Sequence, residues 1–138
     1  MRGVKVLDSW ALLAHFEGEK AGEKVRELLK EAAEDQKKLL ISVINWGEVL
    51  YTVESRYGRA KRDETEHLMN QMHLEVVEID KELTREAAHI KAGAKLPYAD
   101  AFAASLALLR KAELVTGDKD FRSVQEKILI RWLSSAVH

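Results

Sequence analysis

The chain has 138 residues, of which 46% are hydrophobic and 33% are charged, and it contains no cysteine. This length predicts one domain, residues 1–138, with room for a hydrophobic core. The composition excludes disordered and low-complexity classes, and the lack of cysteine excludes disulfides, thiolate zinc sites and cysteine catalysis. The net charge of −1 excludes a protein held to nucleic acid by bulk charge, so any such contact needs a local patch or a metal.

Neither a membrane span nor a signal peptide is apparent in the sequence. No uncharged stretch is longer than the one from Leu39 to Gly47, whereas a membrane helix needs about 20 apolar residues. The N-terminus has no extended apolar region before Asp8. We therefore expect a cytoplasmic protein.

The sequence alternates between short apolar runs, which predict strands, and helical periodicities. The predicted strands span residues 4–7, 39–43, 76–79 and 114–116, with a last candidate at 128–130 that Trp132 and Leu133 continue. The predicted helices span residues 9–14, 20–36, 46–57, 59–72 and 98–111, and Asp80 is placed to cap another through 83–90. Because the strands lack polar alternation, the pattern is typical of a parallel sheet covered on both faces. We predict a three-layer α/β/α fold with a mainly parallel central sheet.

Four carboxylates fall where an open α/β sheet forms its sites, beyond the carboxyl ends of the strands. Asp8 directly follows the first predicted strand, and Asp118 follows the fourth. Glu48 is placed in the first turn of the helix after the second strand, and Asp100 in the first turns of the helix at 98–111. We expect the four acids to converge at one edge of the sheet.

Each acid also has a purely structural interpretation. Asp8 is well placed to cap the helix that follows it, and Asp118 to form a turn. Glu48 lies opposite the apolar stripe of its helix, as a solvated residue would. Asp100 is the hardest to explain in this way, because its helix is almost wholly apolar and an ionised carboxylate there is costly unless it is paired or bound.

Crowded carboxylates repel one another and take up protons unless a cation neutralises them. Oxygen ligands without cysteine or paired histidines suit Mg²⁺ or Mn²⁺, which can drive phosphodiester hydrolysis. The five histidines, at positions 15, 67, 73, 89 and 138, show no metal-binding spacing. No P-loop, dinucleotide fingerprint or serine-esterase elbow is present either.

The segments that carry the acids resemble, in order and separation, the motifs of PIN-domain ribonucleases of the VapC toxin type. These segments are VLDSWALLA at 6–14, SVINWGEVLY at 42–51, LPYADAFAA at 96–104 and LVTGDKDF at 114–121. Each motif alone is weakly specific, whereas four in order are strong. The resemblance covers nearly the whole chain.

The resemblance implies a PIN-like fold and Mg²⁺- or Mn²⁺-dependent endonucleolytic cleavage of RNA. It assigns metal binding and catalysis to an acidic quartet of Asp8, Glu48, Asp100 and Asp118. It also implies that Thr116, together with Ser9, orients a water molecule or a carboxylate, and it leaves Asp120 as an alternative to Asp118. Proteins of this type are generally held inactive by a cognate antitoxin and are commonly homodimers, so both partners are expected here.

Three further features stay open at this level. Trp10 replaces a small polar residue of the family, and it either narrows the substrate entrance or packs under the first helix. Two basic clusters follow segments that carry a proposed ligand, and either is a candidate for gripping phosphate; they are Arg56, Arg59, Lys61 and Arg62, and Lys119 and Arg122.

Two other functions compete with the nuclease. One is a phosphoacceptor receiver domain, which shares the length, the alternating elements and acids at strand ends. The other is an inactive PIN scaffold that acts in protein–protein association.

Overall fold

The computed structural model describes residues 3–133 as a parallel sheet with helices on both faces. The strands are β1 (Lys5–Leu7), β2 (Leu39–Ser42), β3 (Leu74–Val77), β4 (Glu113–Thr116) and β5 (Ile130–Trp132). The helices are α1 (Ser9–Phe16), α2 (Lys20–Asp35), α3 (Val43–Tyr57), α4 (Arg59–Asn70), α5 (Lys81–Gly93) and α6 (Tyr98–Leu109), and a 3₁₀ helix (Lys119–Val124) precedes β5. The predicted three-layer α/β/α fold is confirmed. His138 lies outside the described residues.

The first strand of the chain, β1, lies at the centre of the sheet. The order is β3-β2-β1-β4-β5, and every neighbouring pair is parallel. Val6 of β1 pairs with Leu40 on one side and Leu114 on the other. Because all five strands run the same way, their carboxyl ends meet at one edge, where Asp8 and Thr116 are found.

This topology excludes the receiver domain. Receiver domains have the doubly wound strand order 2-1-3-4-5, whereas this sheet has the order 3-2-1-4-5. Asp80, the residue that a receiver would need at a strand end, instead caps α5, since its Oδ1 accepts a hydrogen bond of 2.9 Å from the Leu83 N–H. The receiver hypothesis is therefore wrong.

The hydrophobic core has one part on each face of the sheet. On one face, α5 and α6 pack against the sheet through residues such as Ile90 and Leu106. On the other, α1, α2 and α3 bury residues such as Leu12, Val25 and Val49. The run of α6 from residue 100 to 107 is wholly buried, which explains why this helix is apolar on nearly every side.

No helix within residues 3–133 has the length and apolarity that a bilayer crossing needs. Even α6, the most uniformly apolar of them, has 12 residues, whereas a spanning helix needs about 20.

The start of α3 differs from the predicted start and matters for the site. The second strand ends at Ser42, whose Oγ caps α3 by accepting a hydrogen bond of 3.1 Å from the Asn45 N–H. The helix therefore begins at Val43, three residues before the predicted start at Trp46. Glu48 consequently lies in the second turn of α3, so its predicted place in the first turn was wrong.

The boundaries of two strands differ from the predicted ones by two residues. Strand β3 begins and ends two residues earlier than predicted, and β5 lies two residues later. The 3₁₀ helix after β4 had no predicted counterpart, because its six residues are too few to show a helical period.

Candidate functional site

Asp8 lies at the carboxyl end of the central strand and is 2% exposed. Its Oδ1 caps α1 by accepting a hydrogen bond of 2.9 Å from the Ala11 N–H. Its Oδ2 accepts a short hydrogen bond from the hydroxyl of Thr116, which is at the end of the neighbouring strand β4. The structural and functional interpretations of Asp8 are therefore compatible, since capping occupies only one of its oxygens.

Asp100 lies in the first turn of α6 and is 8% exposed. No side chain or backbone N–H within residues 3–133 donates a hydrogen bond to its carboxylate, and no basic side chain in that range pairs with it. It is therefore a buried carboxylate whose charge the described protein leaves unbalanced, an arrangement that is costly without a bound cation.

Asp118 and Asp120 meet Asp100 from the loop that follows β4. One carboxylate oxygen from each of the three lies within 4.8 Å of the other two. The loop is shaped locally, because the Asp118 N–H donates to the Thr116 hydroxyl at 3.0 Å and the Asp118 carboxylate accepts from the Asp120 N–H at 2.9 Å. Asp120 therefore joins Asp118 at the site instead of replacing it.

Glu48 is turned toward the site by two neutral donors. Its Oε1 accepts a hydrogen bond of 3.1 Å from the Ser9 hydroxyl and one of 2.9 Å from the Asn45 amide. Ser9 follows Asp8 directly, so this contact ties α3 to the start of α1. The helical angle of Glu48, which indicated a solvated residue, did not reveal that α1 lies against that face.

The charges of these acids act on one another. Burial raises the pKa of Asp8 to about 8, an effect that the Thr116 and Ala11 hydrogen bonds oppose and the charges of Asp100 and Asp118 reinforce. Burial also raises the pKa of Asp100 to about 7, helped by the charges of Asp118, Glu48 and Asp120. The charges of the four predicted acids therefore influence one another, but the carboxylates within 4.8 Å of one another are those of Asp100, Asp118 and Asp120, and this group includes neither Asp8 nor Glu48.

Thr116 and Ser9 both act on carboxylates in this structure. Thr116 is fully buried and donates to Asp8 while accepting from the Asp118 N–H. Ser9 donates to Glu48. Both hydroxyls therefore contact a carboxylate, which is one of the two targets that the resemblance implies.

Asn45 is a site residue that the sequence reasoning did not select. It is completely buried and contacts Glu48, Ser42 and the Ala99 carbonyl. Its only sequence signal is a polar amide three residues before Glu48, and that spacing places both residues on one side of α3.

Trp10 packs against the core and also borders the site. Its ring is half-buried against the core on the α1 side of the sheet and lies over the backbone of Gly117. It therefore contacts the turn between Thr116 and Asp118, which is a role that neither earlier interpretation of Trp10 included.

The two predicted basic clusters differ in the structure. In the first, Arg56 pairs with Glu17, Arg62 with Glu54 and Asp63, and Lys61 with Glu64. In addition, Arg56 comes eight residues after Glu48, which is about 12 Å farther along the helix. Three of the four basic side chains in this cluster are therefore already paired with carboxylates.

In the second cluster, Lys119 and Arg122 are exposed on the 3₁₀ helix and form no ion pair within residues 3–133. They adjoin Asp118 and Asp120, so their charges remain available beside the acidic group.

Comparison with known families identifies the fold and these motifs together. The PIN domain family matches residues 5–127, which include all of the acids described above. The chain belongs to the PIN domain family. No curated protein is a significant match to the sequence of this PIN domain.

Solved structures with a similar fold include toxin–antitoxin proteins. A chain of the DNA-bound VapBC complex from Salmonella typhimurium has a TM-score of 0.73 at 20% identity, covering 96% of this chain and 100% of that chain. A chain of VapBC2 from Rickettsia felis bound to a promoter DNA fragment has a TM-score of 0.72 at 18% identity, covering 93% of this chain and 97% of that chain. A sarcin–ricin-loop-cleaving toxin from Mycobacterium tuberculosis has a TM-score of 0.66 at 12% identity, with 87% and 94% covered. At these identities the likeness is one of fold.

Proposed function

We propose that this PIN domain is a divalent-metal-dependent endoribonuclease and the toxin of a toxin–antitoxin pair. The observation that carries the proposal is the set of carboxylates at the carboxyl edge of the sheet, in which Asp100 is buried and has Asp118 and Asp120 close by, and the buried Asp8 feels the charges of Asp100 and Asp118. We assign catalysis to Asp8, Glu48, Asp100, Asp118 and Thr116, and metal binding to the four acids among them.

The chemistry of this donor set fits Mg²⁺ or Mn²⁺. Every candidate ligand atom is a carboxylate oxygen, the donor that hard divalent cations prefer. Asp8 and Asp100 have raised pKa values, and no basic side chain within residues 3–133 pairs with either carboxylate. Binding a cation would relieve the repulsion that protonation otherwise relieves.

When bound, the metal would polarise the phosphoryl group of the substrate and activate a water molecule for attack on phosphorus. The residues of the chain keep the ligands in place. Thr116 and the Ala11 N–H hold the two oxygens of Asp8, and each oxygen keeps a second lone pair for a cation. Ser9 and Asn45 both donate to Oε1 of Glu48, so Oε2 has no hydrogen-bond donor among the described residues.

The substrate and the partners rest on the similar structures. RNA as the substrate is supported by the fold shared with the sarcin–ricin-loop-cleaving toxin. A cognate antitoxin is supported by the VapBC complexes, and we expect a homodimer on the same ground. A short upstream gene that encodes a DNA-binding protein would support the pairing further.

The decisive experiment is RNA cleavage by the purified protein with Mg²⁺, with Mn²⁺ and with a chelator. We expect cleavage only with metal, and loss of cleavage in Asp100→Asn. The matched control is Asp63→Asn, which removes an exposed carboxylate on α4 that pairs with Arg62. Metal-dependent cleavage that survives Asp100→Asn would contradict the assignment, and a folded protein that neither binds metal nor cuts any RNA would favour the inactive scaffold.

A further inference from the structure

Asn45 is a fully buried polar side chain whose hydrogen-bonding groups are all used. Its Nδ2 donates to Glu48 Oε1 at 2.9 Å and to the Ala99 carbonyl at 3.2 Å. Its Oδ1 accepts from the Ser42 hydroxyl at 2.6 Å. The amide thereby joins the end of β2, the second turn of α3 and the first turn of α6.

The orientation of the amide is determined by its partners. The Ala99 carbonyl can only accept a hydrogen bond, so the atom of Asn45 that faces it is the NH₂ nitrogen. The Ser42 Oγ already accepts from the Asn45 backbone N–H, and its own proton is therefore available for Oδ1. With the carbonyl held by Ser42, the second hydrogen of the NH₂ group points at Glu48.

The chemistry of an amide suits a position beside a metal ligand. A lysine or arginine in this place would form an ion pair with Glu48 and would repel a divalent cation. The neutral amide orients the carboxylate and leaves its full negative charge for the cation. With its other hydrogen, Nδ2 donates to the backbone carbonyl of Ala99, the residue directly before Asp100.

We propose that Asn45 is a positioning residue, which sets Glu48 relative to Asp100 so that both carboxylates face one divalent cation. This inference rests on the metal site of the proposed function. It assigns Asn45 no contact with the metal or the RNA, because the residue is completely buried and acts through Glu48 and the Ala99 backbone.

The test is a double-mutant cycle on Mn²⁺ affinity, measured by calorimetry in Asn45→Ala, Glu48→Gln and the double variant. We expect each single change to weaken binding at least about tenfold, the loss typical of a residue that supports a metal ligand. Because Asn45 acts partly through Glu48, we expect Asn45→Ala to cost a smaller factor of affinity in the Glu48→Gln background than in the wild type. A residue that only supported the fold would lower the affinity by the same factor in both backgrounds.

Ser105→Ala is the matched control. It removes another hydrogen bond of a fully buried side chain, from Ser105 to the Ala101 carbonyl at 2.7 Å, and it lies on the same helix as Asp100. Melting in chelator should fall in both Ser105→Ala and Asn45→Ala, whereas Mn²⁺ affinity should fall in Asn45→Ala alone. If Asn45→Ala does not fold, Asn45→Ser takes its place in the cycle, because its hydroxyl is too short to reach both Glu48 and Ala99.

The possible failures are distinguishable. Unchanged affinity in Asn45→Ala, or equal losses in both backgrounds, would overturn the role of Asn45 while the effect of Glu48→Gln left the metal site standing. A wild-type protein that bound no Mn²⁺, or a silent Glu48→Gln, would overturn the metal site and the role of Asn45 together.

Discussion

The six-membered ring of Trp10 fills the space that a Cβ atom at position 117 would occupy. A Cβ built on Gly117 would meet three ring atoms of Trp10 at separations that real Cβ atoms do not show. Trp10 and Gly117 therefore form a matched pair, in which the large residue of α1 requires the smallest residue in the turn. That turn carries Thr116 on one side and Asp118 on the other.

We therefore expect Gly117→Ala to disturb both stability and metal binding. Overpacking of this kind costs about 1–3 kcal/mol, measurable as a lower free energy of unfolding in denaturant. Mn²⁺ affinity should fall too, because the turn that holds Asp118 must move.

Gly47→Ala is the control for this substitution, since a Cβ on Gly47 of α3 meets nothing within 4 Å. We expect it to raise the free energy of unfolding by about 0.4–1 kcal/mol. In Trp10→Leu/Gly117→Ala the loss should be smaller than the sum of the single losses, because the two residues are in contact. Wild-type stability in Gly117→Ala would show that the ring does not occupy this place.

Asp100→Asn should move stability and metal binding in opposite directions. Near pH 8 the apo protein should be more stable than wild type, because the change removes a buried charge that Asp118, Glu48 and Asp120 repel. Calorimetric Mn²⁺ affinity should nevertheless fall at least about tenfold. If Asp100 only complemented the dipole of α6, its loss would cost about 0.3–1 kcal/mol of stability and leave metal binding unchanged.

The raised pKa values of Asp8 and Asp100 make the apo protein less stable as pH rises. Both carboxyl groups hold their protons in the folded protein up to pH values near 8 and 7, but lose them near 3.8 when unfolded. The folded state therefore binds more protons across this range, so the free energy of unfolding should fall from about pH 5 to about pH 8. Thermal melts in chelator measure this directly.

Metal affinity should change with pH in the other direction. A cation must displace these protons, so the rise in melting temperature caused by Mg²⁺ should be larger near pH 8 than near pH 5. Thr116→Val removes the hydrogen bond that lowers the pKa of Asp8. In this variant, the rise in melting temperature caused by Mg²⁺ should therefore begin at a higher pH. A metal effect that is absent, or larger near pH 5, would contradict the crowded carboxylates.

Local patterns in the sequence were enough to predict the layers of the fold and the edge at which the acids meet. Apolar strands and helices with a clear period are determined by residues that are close in sequence, so both can be predicted from local patterns. Once the strands form a parallel sheet, their carboxyl ends bring Asp8 and Thr116 together. The acid in the nearly apolar segment, Asp100, was conspicuous for the same reason, because an ionised carboxylate needs a partner there.

What the sequence could not predict depends on contacts between distant segments. The inward turn of Glu48 needs Ser9, 39 residues earlier, and the link from Asn45 to Ala99 spans 54 residues. Arg56 looked like a phosphate ligand until the structure placed Glu17 2.6 Å away. A helical angle or a run of basic residues carries no information about such partners.

The charges left free beside the acids lead to the last prediction, on RNA binding. Lys119 and Arg122 are unpaired within residues 3–133, whereas Lys61 and Arg62 are already paired with carboxylates. Each phosphate contact to single-stranded RNA contributes about 0.7 to the slope of log affinity against log salt. Changing Lys119 and Arg122 to Ala should thus flatten the slope by about 0.7–1.4 and weaken binding to all sequences alike. Affinity is measured across a salt series with Ca²⁺ replacing Mg²⁺, a change meant to slow cleavage.

The matched control, Lys61→Ala/Arg62→Ala, should leave the slope unchanged because Glu54, Asp63 and Glu64 already neutralise those charges. A slope unaffected by either pair would mean that metal ions chiefly hold the RNA, and that the shape of the cleft beside Trp10 selects it.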